Sequence, residues 1–141
     1  MFKKIMIAYD DSPESERALL LAIDLARAVG AELKVVSVCE PPPSYLAFAV
    51  AAVAVSREQW KVDRIKSFED RQQIARKTIS EAGLFPDIQL LNGEEVGTIV
   101  GCARKHQADL LVLGMRKRRW VSGHTGHEIA DASPCAILGV R

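Results

Sequence analysis

The feature that most constrains the fold is a regular alternation of short apolar runs with longer segments of helical periodicity. Apolar runs of this length, bounded by turn residues, are typical of strands buried on both faces of a sheet. Because helical segments separate the runs, we expect an open parallel five-stranded α/β sheet, Rossmann-like, with helices on both faces. The predicted strands span residues 3–9, 32–38, 87–91, 110–113 and 136–140.

The first 38 residues follow the pattern of one strand–helix–strand unit. Ser12 is the predicted N-cap, and Pro13 takes the first helical position, where its missing N–H costs nothing. Apolar residues then recur at helical spacing until Gly30, a typical helix stop. The crossover of such a unit is expected to be right-handed.

Charge-rich segments in the middle of the chain predict two further helices. Residues 56–82 are amphipathic and end at Gly83, and core contact from one helix face would account for Trp60 and Phe68. Residues 94–105 carry acidic groups in the first turn and basic groups in the last, as the helix dipole favours. A fourth, shorter helix is expected before the last strand.

An apolar segment, residues 44–55, follows three prolines after the second strand. We expect a helical lead-in that the domain or a partner subunit covers. The alternative is a membrane-surface anchor, but the segment lacks the basic polar face that such anchors carry. Its most apolar part, residues 45–55, is also too short for a membrane span, which needs about 20 residues.

Length and composition favour one ordinary globular domain over residues 1–141. The formal net charge is +1, so any preference for anions must be local. The first residues lack the apolar core and cleavage site of a signal peptide. Cys39, Cys102 and Cys135 are widely spaced, and we expect them to be buried reduced thiols of a cytoplasmic protein.

The last third of the chain has the outline of a phosphate-binding loop. A short strand ends at Gly114, a basic loop follows, and Gly123 precedes a helix. Proteins bind phosphate in this way because the loop offers backbone N–H groups free of Cβ obstruction and the positive end of a helix dipole.

Three passages together resemble the universal stress protein family: KKIMIAYDDSPESERAL, NGEEVGTIVGCARKHQADLLVLG and GHEIADASPCAILGVR. The resemblance covers essentially the whole chain and implies strand order 3-2-1-4-5. It also implies a homodimer paired through the last strand, and an exposed apolar edge strand does need cover. The predicted dimer edge consists of Ala136, Ile137, Leu138 and Val140.

Many members of that family bind ATP through a glycine signature, which this chain matches only in part. Gly114 fits the first glycine, but Lys117 stands at the second, where a Cβ obstructs close backbone approach. Gly123 lies nine residues after Gly114 in place of thirteen, and His124 replaces the Ser or Thr that follows. Gly126 is an alternative match for the last glycine. The short loop resembles the branch of the family that does not bind nucleotide.

Other positions of the family's ligand pocket are retained. Asp10 matches an aspartate near the adenine and ribose, and Val38 matches a position that lines the adenine. Both are expected at the topological switch point between the first and fourth strands. Turn capping would explain Asp10 without a ligand, and core packing would explain Val38. The candidate nucleotide site comprises Asp10, Val38, Gly114, Arg116, Lys117, Gly123, His124 and Thr125.

Residues 116–119 are all basic and precede Trp120, which leaves three interpretations of the loop. Its charge could capture a phosphate in place of glycine backbone. It could contact nucleic acid, with Trp120 stacked on a base. It could also be a solvated loop whose tryptophan folds onto the domain. We do not expect a nucleic-acid partner, because one such loop on a nearly neutral protein is a small footprint.

Neither a metal site nor an enzyme is predicted. His124 and His127 can share a helix face, but a metal site needs a third and fourth ligand, and His106 belongs to the preceding helix. Ser122 lacks the strand-to-helix turn of a nucleophilic serine.

The sequence therefore predicts a regulatory or protective protein that acts through dimerisation and protein contacts, without strong ATP binding. The stress role is implied by the resemblance alone. The alternative is an adenine-nucleotide sensor that binds ATP, with Mg²⁺, through a divergent phosphate loop. A weak phosphohydrolase would need Mg²⁺ and a positioned water, and Asp10 is its evident helper.

Overall fold

The computed structural model of the chain describes residues 1–10, 12–41, 57–116 and 125–141. Strands and helices alternate along these ranges. The strands are β1 (Lys4–Ala8), β2 (Glu32–Cys39), β3 (Asp87–Asn92), β4 (Leu110–Gly114) and β5 (Ala136–Val140). The helices are α1 (Pro13–Val29), α2 (Arg57–Glu81), α3 (Glu95–His106) and α4 (Thr125–Ala132).

The strands form one parallel sheet of order β3-β2-β1-β4-β5, which confirms the predicted fold class and strand order. In the centre, Ile5 of β1 lies opposite Leu33 of β2 on one side and Leu110 of β4 on the other. The chain builds outward from β1 to β3, and then crosses back to add β4 and β5 on the other side. The switch point therefore lies between β1 and β4.

The first crossover helix begins and ends at the predicted residues. The Ser12 hydroxyl accepts a hydrogen bond from the backbone N–H of Ser15 at 3.1 Å, so Ser12 is the N-cap. Gly30 ends α1 with φ of 69°, a left-handed conformation that glycine adopts without strain.

Two apolar layers lie on opposite faces of the sheet, because successive strand residues point to opposite sides. One layer joins α1 and the end of α2 to the sheet and includes Ile5, Ile7, Leu19, Ile79 and Val112. The other joins α3 and α4 to the sheet and includes Met6, Val36, Ile99, Leu111 and Ile129. Residues of β1 enter both layers, so this strand is the centre of the core.

The expected core contact along one face of α2 is wrong for the first part of that helix. Ala75 and Ile79 are the buried residues among the described side chains of α2, whereas Val62 and Ile65 are 56% and 41% exposed. Length explains the difference, because a helix of 25 residues is about 37 Å long. The neighbouring strand β3 has six residues and spans only about 20 Å.

The two aromatic residues expected to anchor α2 have different outcomes. Phe68 is half-buried, and the centroid of its ring lies 5.3 Å from the guanidinium carbon of Arg71. The side chain of Trp60 lies outside the described residues, as does the apolar segment at 45–55.

All three cysteines are free thiols, as predicted, but each is half-buried and not fully buried. The physical reason lies in their positions: Cys39 ends β2, Cys135 precedes β5, and Cys102 faces the edge of the sheet beside β3. None of the helices that the structure describes is both long and apolar enough to span a membrane.

Candidate functional site

The candidate site lies where β1 and β4 end side by side, at the switch point of the sheet. Asp10 follows β1, and Arg116 follows β4 by two residues. Glu40 follows β2, and Glu95 begins α3. We call the region formed by these four residues the carboxyl-end crevice.

Asp10 stabilises the turn that leads from β1 into α1. Its Oδ1 atom accepts a hydrogen bond from the backbone N–H of Ser12 at 2.8 Å. Its own backbone N–H donates to the hydroxyl of Ser15 at 2.9 Å. The capping role considered from the sequence is therefore present, and it uses one carboxylate oxygen of Asp10.

The second carboxylate oxygen of Asp10 faces Arg116. The distance between Arg116 Nη2 and Asp10 Oδ2 is 3.4 Å, and the side chains are 62% and 48% exposed. An exposed ion pair of this kind contributes roughly 0–1 kcal/mol to stability. Its main consequence is positional, because it holds a cation of the β4 loop against the end of β1.

Tyr9 immobilises the end of β1 just before Asp10. Its backbone N–H donates to the carbonyl of Val36 at 2.8 Å, and its carbonyl accepts from the hydroxyl of Ser37 at 2.9 Å. The Tyr9 hydroxyl donates to the carboxylate of Glu16. Burial, and then this hydrogen bond, raise the pKa of Tyr9, so the phenol stays protonated at neutral pH.

Acidic residues at the start of α3 form the other wall of the crevice. Glu94 caps the helix, because its side chain accepts from the N–H groups of Val96 and Gly97. The backbone N–H of Glu95 donates to Glu40 Oε1 at 2.9 Å. Burial raises the pKa of Glu95, and the negative charges of Glu40 and Asp10 raise it further, whereas Arg116 acts in the opposite direction.

Glu40 and Glu95 were not among the residues predicted for the site. Their signal in the sequence is weak, because one follows a strand and the other belongs to an ordinary acidic first turn of a helix. Only the parallel sheet brings them beside Asp10.

Gly114 packs directly against the first turn of α1. A Cβ atom on Gly114 would lie 2.6 Å from the backbone nitrogen of Ser15 and 2.7 Å from the carbonyl carbon of Glu14. Real Cβ atoms do not approach backbone so closely, so the contact requires glycine at this position.

The other predicted site residues are less closely connected. Val38 is half-buried and packs against the apolar layer under α3 and α4, as core packing predicts. Thr125 is the half-buried first residue of α4. Lys117, Gly123 and His124 lie outside the described residues, together with the rest of the basic loop at 117–120.

Among the described residues, no cluster of three or more His, Cys, Asp or Glu side chains is arranged to hold a metal ion. His127 is exposed on α4, and His106 ends α3 on a different part of the molecule. His124 lies outside the described residues.

Comparisons with known proteins agree with this architecture. The sequence model of the universal stress protein family matches residues 1–141. A curated universal stress protein of Thermus aquaticus is 31% identical over 145 residues, which cover 100% of both chains.

Solved structures of that family share the fold. A universal stress protein from Burkholderia pseudomallei superposes with a TM-score of 0.75 at 20% identity, covering 99% of this chain and 96% of the other. One from Archaeoglobus fulgidus, in complex with dAMP, gives a TM-score of 0.70 at 21% identity, with coverages of 99% and 98%. The chain belongs to the universal stress protein family.

Proposed function

We propose that this protein is a regulatory or protective universal stress protein that acts through dimerisation and protein contacts, without catalysis and without strong ATP binding. In this proposal residues 1–141 form one cytoplasmic domain. The homodimer pairs through β5, which lies at one end of the sheet and carries the predicted edge residues.

The observation that carries the absence of strong ATP binding is the charge that the described residues bring to the carboxyl-end crevice. Asp10, Glu40 and Glu95 bring three carboxylates to the switch point, and Arg116 is already paired with one of them. Burial raises the pKa of Glu95 most, and the neighbouring charges of Glu40 and Asp10 raise it further, because close like charges disfavour one another. A triphosphate entering this region would meet the same repulsion.

The surviving signature glycine has a role that needs no phosphate. Gly114 allows β4 to contact the first turn of α1, so packing alone accounts for the absence of a side chain there. Retention of Gly114 is therefore weak support for ATP binding.

The test is to measure ATP binding directly, with Mg²⁺ present, by calorimetry and by thermal unfolding. A ligand at 100 times its Kd raises the free energy of unfolding by about 2.7 kcal/mol, so tight binding would raise Tm clearly. We expect no resolvable heat of binding and no shift in Tm for the wild-type protein.

A charge variant makes the same test sharper. Replacing Glu40 and Glu95 together by glutamine removes two negative charges from the crevice, and ATP affinity should then increase several-fold. The matched control replaces Glu69 and Glu81, exposed on α2, and should leave ATP affinity unchanged. Tight ATP binding by the wild-type protein would refute the proposal.

The alternative function is an adenine-nucleotide sensor, and one feature of the crevice favours it. Asp10 retains a carboxylate at the switch point, and the Archaeoglobus relative was solved with dAMP. A monophosphate carries less negative charge than ATP, so it would suffer less repulsion from Glu40 and Glu95.

Titration with AMP and dAMP separates the two functions. If the sensor exists, the wild-type protein binds AMP, and Asp10→Asn weakens that binding at least about tenfold, as loss of charged hydrogen bonds would. Asn is a suitable replacement because its side-chain oxygen can still accept from Ser12. Asp24→Asn, on the exposed face of α1, is the control.

A further inference from the structure

A groove runs between α3 and the strands β2 and β3, at the opposite edge of the sheet from β5. We call it the α3–β3 groove. Its volume is about 350 Å³, which lies in the range of small-molecule sites. None of its lining residues belongs to the carboxyl-end crevice.

One wall of the groove is a single face of α3. Residues spaced by three, four and seven positions lie on one side of a helix, and they alternate with the apolar residues that α3 buries. The residues of this wall are Thr98, Gly101, Cys102 and Lys105. A Cβ atom placed on Gly101 would meet no atom within 4 Å, so the space beside that residue is open.

The facing wall comes from alternate residues of two strands. Lys34 lies opposite Asp87, and Gln89 and Leu91 follow along β3 on the same face of the sheet. The buried residues of α3 do not cover the outermost side chains on this face of the sheet. Those side chains therefore line the groove.

Positive charge gathers at one end of the groove. Lys34 and Lys105 contribute two ammonium groups, and the uncharged ring of His106 lies beside them. Asp87 offsets part of this charge, because its two carboxylate oxygens lie 3.0 and 3.2 Å from Lys34 Nζ. The same contact holds the ammonium in place. Lys4 adds a further cation nearby, since its Nζ donates to the carbonyl of His106 at 3.4 Å.

His106 lines this end of the groove and has one ring nitrogen that is not paired with any described residue. Its Nε2 atom is buried and has no hydrogen-bond partner among the described residues. Burial lowers the pKa of His106, and the charges of Lys34 and Lys4 lower it further. The ring is therefore neutral at neutral pH, with one nitrogen as donor and the other as acceptor.

The remainder of the groove is mainly apolar. Leu91 and the thiol of Cys102 lie along it, with the hydroxyl of Thr98 towards its far end and the amide of Gln89 between. Burial raises the pKa of Cys102, so its sulfur is a protonated thiol and behaves as a small apolar group.

We propose that the α3–β3 groove is a binding site for a small organic acid, whose carboxylate lies among Lys34, Lys105 and His106 and whose short apolar chain extends along Leu91 and Cys102. Lys105 supplies the charged hydrogen bond to the carboxylate. Lys34 is already paired with Asp87, so it contributes a third hydrogen of its ammonium group and only part of its charge. The apolar chain supplies the remaining affinity by burial against the groove wall.

The helix dipole disfavours anions at this end of the groove, and it disfavours a phosphate more than a carboxylate. Lys105 and His106 belong to the last turn of α3, where the helix end carries partial negative charge. This end repels a doubly charged phosphate more than a singly charged carboxylate. Phosphate sites instead use helix N-termini.

The experiment is a titration of the isotope-labelled protein, followed by the backbone amide resonances. The probes are hexanoate, its uncharged counterpart hexan-1-ol, and inorganic phosphate. We expect hexanoate to shift the amides of Thr98, Gly101, Cys102 and Gln89 in a saturable way. Hexan-1-ol and phosphate should bind at least about tenfold more weakly, since each lacks one of the two interactions.

Two variants locate the site. Lys105→Glu should weaken hexanoate binding about tenfold, as loss of one charged hydrogen bond predicts. Arg104→Glu is the matched control: it changes the net charge equally in the same helix turn, but Arg104 does not line the groove. Gly101→Leu should abolish binding, because the new side chain occupies the open space without a clash.

Four results would overturn the proposal. They are the absence of saturable shifts, shifts centred on Asp10 and Arg116, equal loss of binding in the Arg104 control, and tighter binding of phosphate than of hexanoate. Because the carboxyl-end crevice contributes no residue to the groove, none of these results decides whether the protein binds ATP.

Discussion

Gly114, the last residue of β4, packs against the first turn of α1. Its Cα approaches the backbone of Glu14 and Ser15 so closely that a Cβ atom would lie 2.6 to 2.9 Å from their atoms. The next residue, Met115, donates its N–H to the carbonyl of Val140 at 2.6 Å and so extends the pairing of β4 with β5. Gly114 therefore allows the contact with α1, and the residue that follows it forms a hydrogen bond within the sheet.

Gly114→Ala should therefore destabilise the protein. Three backbone atoms would lie within 3.0 Å of the new methyl group and would have to move. Overpacking of this kind costs about 1–3 kcal/mol, measurable by urea unfolding. Gly101→Ala is the control, since its methyl group meets no atom within 4 Å and alanine favours a helix by about 0.5–1 kcal/mol. Equal stability of the Gly114 variant and the wild type would contradict the packing role.

Glu95 should make stability depend on pH. Its folded-state pKa is raised above the ordinary 4.5, so the folded protein retains a proton that the unfolded chain releases. The stability linked to this proton is full below pH 4.5 and is lost as pH rises through the folded pKa. Glu95→Gln should accordingly raise Tm at neutral pH and have a smaller effect in acid.

Thermal scans of wild-type and Glu95→Gln protein across this pH range check the prediction. Glu69→Gln, at an exposed position of α2, controls for the general loss of one negative charge. A benefit that grows as the pH falls would show that the sign is wrong.

Among the residues that the structure describes, β5 pairs with β4 and has no strand along its other edge. The carbonyl of Val140 accepts from Met115 and so faces β4. Because peptide groups alternate sides along a strand, Leu138 and Ala136 also face β4, whereas the N–H and carbonyl of Ile137 face outward. Ile137 can thus contribute to pairing between subunits without a role in the hydrogen bonds to β4.

Ile137→Pro tests the proposed dimer at this edge. Proline removes an outward-facing N–H and blocks strand pairing there, but keeps the hydrogen bonds between β4 and β5. We expect monomers by light scattering after size exclusion, with a circular dichroism spectrum like that of the wild type. Ile137→Val keeps the N–H and should remain dimeric. A dimer that survives the proline would place the interface elsewhere.

Burial is concentrated in the centre of the sheet. Ile5, Met6 and Ile7 of β1, and Leu111 and Val112 of β4, are fully buried. The outer parts differ, because the described side chains in the first part of α2 are exposed or half-buried. Stability should therefore be uneven across the fold.

Hydrogen exchange under native conditions should show this gradient. Amides of β1 and β4 should exchange only through global unfolding, whereas amides at 57–70 in α2 should exchange through local opening of much lower free energy. Measurement across low denaturant concentrations separates the two classes. Protection at 57–70 equal to that of β1 would indicate that this part of α2 is covered in solution.

Much of the architecture could be predicted from local pattern. The apolar runs predicted all five strands to within two residues, and the Ser12–Pro13 and Gly30 signals predicted both ends of α1. The strand order came from the family resemblance. The error concerned α2, where periodicity could not reveal that the strand beside the helix is too short to cover it.

Less of the candidate site could be predicted. Asp10 and Arg116 were predicted, and the structure joins them across the switch point. Glu40 and Glu95 were missed because they are distant in sequence from Asp10 and have no motif of their own. The α3–β3 groove was missed for the same reason, since its cations come from a strand and from a helix end.

Local signals in the sequence specify the kind, chain order and approximate limits of the elements, because periodicity, capping and turn residues act over a few neighbours. The electrostatics of the carboxyl-end crevice and of the α3–β3 groove depend on the folded chain. Charges interact through space, and the parallel sheet brings Asp10, Glu40 and Glu95 together at the carboxyl ends of its strands. The same packing explains Gly114, whose nearest neighbours lie a hundred residues earlier in the chain at Glu14 and Ser15.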